Sequence, residues 1–242
     1  MYVIFLLLLL GYYGVNFILN QQGIRKLKNV EISEKIRVKF YWEWILQRLI
    51  PVLAVFGICV FANITIYDIG LRELGFYYNT WFTIVTFVIS GLILISILNQ
   101  KYRHRLRDET TPNIKNEFEE NISYSTLLNL IIPRSIKEKH LFFYVTLKES
   151  FSGELVLRGF LYYILQGIFP QISIITILII SSVVFGFLIS YGGFVDILEN
   201  TFYNVLFGCL FLVTNSIFPG IMFHFFIMYF GYPSFPVNEQ NS

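Results

Sequence analysis

The sequence predicts an all-α, polytopic membrane bundle of about seven transmembrane helices. Three observations lead there. First, 55% of the 242 residues are hydrophobic and 19% aromatic, against 14% charged, with mean hydropathy +0.62. Soluble domains carry about 25% charged residues. Second, seven apolar segments are long enough to be helices crossing or lining a bilayer. Third, lysine and arginine are concentrated in two of the connections between those segments.

The apolar segments run at about 2–20, 44–66, 78–98, 141–167, 171–190, 196–215 and 218–231. The first has no basic residue ahead of its apolar run and no small-x-small cleavage site, so it is expected to stay as a helix. The last is short and has Pro219 near its start, where proline is tolerated. It reads as a helix leaning on the bundle without crossing it fully. Tyr124 to Ile132 is a further short apolar stretch, read as an interfacial helix before Pro133.

Orientation follows from the cations. Arg25, Lys26, Lys28, Lys35, Arg37 and Lys39 lie in the first connection. Lys101, Arg103, Arg105, Arg107, Lys115, Arg134, Lys137 and Lys139 lie in the third, whereas the second has Arg72 alone. The positive-inside rule makes 21–43 and 99–140 cytoplasmic and puts the N-terminus outside. The implied organisation is a three-helix membrane region at 1–98, a cytoplasmic loop at 99–140, a membrane core at 141–232 and a polar tail at 233–242. The basic run 101–107 is an orientation signal resting on anionic lipid.

Composition also excludes functions. The net charge of +2 gives no footprint for nucleic acid. Cys59 and Cys209 lie far apart in apolar stretches, without metal or redox spacing. There is no Gly-rich phosphate loop, no serine elbow, and no pair of broken helices of the inverted-repeat kind.

Polar residues inside the apolar segments are the candidates for chemistry. Glu154 and Arg158 are spaced i, i+4 with the acid nearer the N-terminus, the favourable order for pairing on one helix face. A charge near the middle of a membrane helix costs roughly 2.5–3.5 kcal/mol on insertion scales, so such a pair marks either a structural tie or a polar site. Gly159 beside it lets a neighbouring backbone approach. Ser181-Ser182-Val183-Val184-Phe185-Gly186 and Asn215-Ser216-Ile217-Phe218-Pro219-Gly220, followed by His224, are the other polar interruptions.

Together these three segments resemble the CPBP family of intramembrane proteins, which includes the type II CAAX prenyl endopeptidases and bacterial Abi relatives linked to bacteriocin processing and self-immunity. The family's first motif, Glu-Glu-x-x-x-Arg, reads Gly153-Glu154-Leu155-Val156-Leu157-Arg158 here. Its second, Phe-x-x-x-His, reads Phe185-Gly186-Phe187-Leu188-Ile189, and its third, His-x-x-x-Asn, reads His224-Phe225-Phe226-Ile227-Met228. The stretch 132–138 is similar to the lead-in before the first motif, so the resemblance covers about 130–230 and implies a CAAX-protease-like core.

The departures are chemical. The resemblance implies a general base where Gly153 stands, a histidine where Ile189 stands and an asparagine where Met228 stands. Glu154, Arg158 and His224 remain as the family-matched site residues. Peptide hydrolysis needs a polarised water and a base within hydrogen-bond reach, and a catalytic metal needs about three protein ligands. His224 cannot hold a metal alone, so neither a metal nor another cofactor is expected. Glu149, four residues before Gly153 on the same face, is the nearest candidate substitute for the base. The expected function is therefore non-proteolytic: regulation, scaffolding or bacteriocin self-immunity through a membrane protein or membrane-bound peptide, in the bilayer of the cell membrane. An endopeptidase with a rearranged site is the alternative, and a small-solute or ion pathway around Glu154 and Arg158 the second alternative.

Overall fold

The computed structural model describes residues 1–27, 30, 32–75, 80–108, 130–190 and 194–231, without the side chains of 21, 24, 25, 100–108, 189 and 195. Among them every regular element is helical: α1 (Tyr2–Leu27), α2 (Glu34–Ala62), α3 (Thr80–Asp108), α4 (Ile136–Glu154), a π-helical segment (Leu155–Phe160), α5 (Leu161–Ile168), α6 (Ile174–Ile189), α7 (Phe194–Thr214) and α8 (Phe218–Gly231). α4, the π segment and α5 are one continuous rod. The predicted boundaries move outward at the polar ends. α1 runs through Arg25 and Lys26, α2 begins at Glu34, and α3 carries the basic run 101–107 on helix, so the third connection starts after 108. Residues 109–129, with most of the predicted interfacial stretch, and the tail 233–242 lie outside the described residues.

Among the described residues four helical stretches are long and apolar enough to cross a membrane: Tyr2–Asn20, Glu34–Ala62, Thr80–Asn99 and Asp196–Thr214. Ile174–Leu188 and Phe218–Gly231 are shorter. With 14 residues, α8 is about 21 Å long against a hydrocarbon core of about 30 Å. It leans on α4, α3 and α7, as its length in sequence predicts.

Local chemistry sets the joints. Ser135 and Glu138 form a capping box at the start of α4, each side chain bonding the other's backbone N–H. Glu138 is fully buried and also accepts from Arg37 Nε at 2.9 Å, which fastens α2 to α4. Further along, Trp44 Nε1 (2.8 Å) and Arg48 Nε both donate to Glu149, and the Ser152 hydroxyl donates to the Arg48 carbonyl. These pairs keep an almost constant offset of 101 to 105 positions, so α2 and α4 are parallel neighbours in register. Pro51 lies inside α2 and cannot donate to the Gln47 carbonyl; the Tyr12 hydroxyl of α1 donates there instead.

The connector between α2 and α3 turns inward. Ile69 is fully buried, Gly70 adopts φ +77°, and the Gly70 carbonyl accepts from Ile217 N at 3.0 Å. Gly75 N donates to the Thr214 carbonyl at 2.9 Å, and Arg72 binds both the backbone and side-chain oxygens of Asn215. A Cβ added at Gly159 would stand 2.3 Å from the Ile69 carbonyl oxygen, so this connector reaches the π segment only because residue 159 is glycine. That is the close backbone approach expected beside Arg158.

Candidate functional site

The π segment is where the polar residues gather. All six of its residues are buried, and Leu161 N–H reaches back to Val156 O, an i to i−5 bond. The extra residue per turn rotates Arg158 relative to the α-helical residues before it, and π segments of this kind concentrate at functional sites.

Glu154 has no exposed surface. Arg158 Nε lies 3.6 Å from its Oε2, and His224 Nδ1 lies 3.4 Å from its Oε1. The expected i, i+4 proximity is therefore present, but the expected pairing is altered. Neither Glu154 oxygen, nor His224 Nδ1, has a hydrogen-bond partner among the described residues. The guanidinium instead donates through one nitrogen to the Asn204 carbonyl (3.0 Å) and to Asn204 Oδ1 (2.8 Å). Asn204 Nδ2 donates to the Asn200 carbonyl, and Asn200 Nδ2 bridges to Ser190 Oγ and Asp196 Oδ1.

Phe207, one turn beyond Asn204 on α7, completes the arrangement. The Arg158 guanidinium carbon lies 5.2 Å from its ring centroid, a cation–π contact. The His224 imidazole stacks on the same ring, with centroids 4.8 Å apart. One aromatic ring thus sits against both cations or potential cations that flank Glu154. Sequence reading missed Asn204 and Phe207; the signal was an asparagine inside the apolar run 196–215.

Glycines shape the carboxylate's surroundings. A Cβ at Gly220 would stand 2.6 Å from Glu154 Oε2, and one at Gly153 would stand 3.3 Å from His224 Cε1. Gly153 therefore faces the imidazole directly. Phe185 is buried and lines, with Leu157, Arg158, Tyr162, Ser181, Ser182 and Asn204, a cavity of about 10 Å³. That is the room one water occupies. Met228 lies one turn past His224, partly buried, and the side chain of Ile189 is outside the described residues. Glu149 is held toward α2 by Trp44 and Arg48.

The donor set does not suit a metal. Among the described residues no three of His, Cys, Asp and Glu gather in ligand geometry, and Glu154 and His224 supply only two donors.

No curated protein and no solved structure matches the chain. Residues 137–230 match the family model described as Type II CAAX prenyl endopeptidase Rce1-like. The match runs from the start of α4 to the end of α8, spans all three motif segments and is consistent with the CPBP resemblance.

Proposed function

We propose that this multi-pass membrane protein has kept the architecture of its family while giving up peptide hydrolysis, and that it acts by binding a membrane protein or membrane-bound peptide in regulation, scaffolding or self-immunity. The observation that carries the reading is Gly153: where the resemblance places the general base, there is no side chain, and the backbone itself faces the His224 imidazole. The buried Glu154 offers no replacement, because a base must reach both water and substrate. Glu149 is already bound by Trp44 and Arg48. A solute pathway has less support, since the cavity beside Arg158 holds about one water. The topology proposed with this function has the N-terminus outside, which puts the joined ends of α2 and α4 at the basic, cytoplasmic side.

The test is hydrolysis of prenylated and leader-type peptides by the protein in liposomes, with and without added zinc. The expected result is peptide bound to the protein and recovered intact. One specific observation favours the alternative of a rearranged endopeptidase: unpartnered polar atoms of Glu154 and His224 lie 3.4 Å apart. Cleavage by the unmodified chain, abolished by Glu154→Gln or His224→Ala, would establish that alternative and overturn the first.

A further inference from the structure

Glu154 and His224 meet in a way that fixes the place of one proton. The imidazole stands on α8 and stacks on the Phe207 ring of α7. Its Nδ1 is buried 3.4 Å from the buried Glu154 Oε1, and neither atom has a hydrogen-bond partner among the described residues. A carboxylate oxygen can only accept. A bare Nδ1 would therefore set one lone pair against another, in an interior that strengthens the repulsion. A proton on Nδ1 turns the same contact into an attraction.

Charge balance decides the other nitrogen. Arg158 Nε lies 3.6 Å from Glu154 Oε2, so the carboxylate already has its counter-charge. No other carboxylate pairs with His224 among the described residues, and an imidazolium would leave a second buried cation uncompensated. The ring is therefore neutral, and with its one proton on Nδ1 it presents Nε2 as an acceptor. The His224 side chain is 19% exposed, and of its two nitrogens Nδ1 alone is buried without a partner. The exposed edge is thus the one that carries Nε2. Gly153, opposite Cε1, adds no side chain to cover it.

We propose that Glu154 is a positioning residue that holds His224 in the Nδ1–H form, and that the exposed Nε2 receives a backbone amide N–H of the bound peptide. A peptide in a bilayer gains by pairing each backbone N–H, which makes the amide the donor it offers. The tautomer follows from the geometry alone, whereas the donor rests on the peptide-binding role proposed above.

Nitrogen NMR of the full chain, isotopically labelled at histidine in lipid nanodiscs, reads the tautomer, with His224→Phe identifying the signal. The unmodified protein should show a protonated Nδ1 and a bare Nε2. Glu154→Gln should move the ring toward the Nε2–H form, while Glu43→Gln, at an exposed pair, should not. An Nε2–H or doubly protonated ring at neutral pH in the unmodified protein would overturn the proposal. Binding reads the donor: a prenylated peptide is compared with versions in which each backbone amide in turn becomes an ester, which removes one N–H. One ester should bind about three- to ten-fold more weakly, the weight of a single hydrogen bond. His224→Phe keeps a ring against Phe207 but offers no acceptor, and should erase that difference. Equal affinity of all the esters would overturn the proposal, as would cleavage of the peptide, which would give Nε2 to water. Failure of the unmodified peptide to bind, with the Nδ1–H signal intact, would overturn the peptide-binding reading and the donor with it, while supporting the tautomer.

Discussion

Replacing Arg158 by leucine removes the cation nearest a carboxylate that has no exposed surface. Glu154 would then stand in the interior with only His224 beside it, at 3.4 Å and without a hydrogen bond. Breaking one side of a buried pair costs about 3–5 kcal/mol. The same change strips Asn204 of the donor to its carbonyl and side-chain oxygens, while the new leucine recovers part of the loss by burying apolar surface. The net expectation is about 3–5 kcal/mol. Glu154→Gln is not its mirror image, because Arg158 stays anchored by Asn204 and by the Phe207 ring. It should cost about 1–2 kcal/mol, in the range of a neutral hydrogen-bonding change. With both charges gone, Arg158→Leu with Glu154→Gln should be about 2 kcal/mol more stable than Arg158→Leu alone. Unfolding titrations in mixed detergent micelles, followed by helical circular dichroism, measure all three. The reasoning fails if the double variant is no more stable than Arg158→Leu, or if Glu154→Gln is the costlier single change.

Further changes probe the joints. Gly159→Ala drives a methyl into the Ile69 carbonyl and should cost about 1–3 kcal/mol, with faster proteolysis of the connector at 63–75 as the readout. Tyr12→Phe leaves the Gln47 carbonyl opposite Pro51 without its donor inside the bilayer, and unfolding titration should show a loss of about 1–3 kcal/mol. Glu138→Gln removes the charge facing buried Arg37 and weakens the cap of α4; a loss of about 3–5 kcal/mol should far exceed that of Glu43→Gln, whose Lys39 partner is exposed.

Much of the architecture was legible in the sequence because bilayer physics leaves few options. Apolar runs of membrane length must be helices, and their order along the chain is that of the observed elements. Helix ends were less legible. Arg25, the run 101–107 and the start of α2 continue their helices past the hydrophobic boundary, since hydropathy reports the bilayer's edge while backbone bonding continues into the headgroup layer. The length of α8 and the backbone approach at Gly159 followed from composition and spacing alone.

The candidate residues Glu154, Arg158 and His224 stood out in the sequence because charge in an apolar run is costly wherever it ends up. What they touch was decided only by tertiary packing. An i, i+4 spacing sets two side chains on one face, yet whether an arginine bonds the acid on its own helix or an asparagine on another depends on which helix arrives alongside. Here the π turn aims Arg158 at α7, so Asn204 takes its hydrogen bonds and Glu154 keeps only proximity. Gly220 gives room for that carboxylate, and Gly153 gives room for His224. Such contacts join residues tens of positions apart, and local sequence pattern carries no information about them.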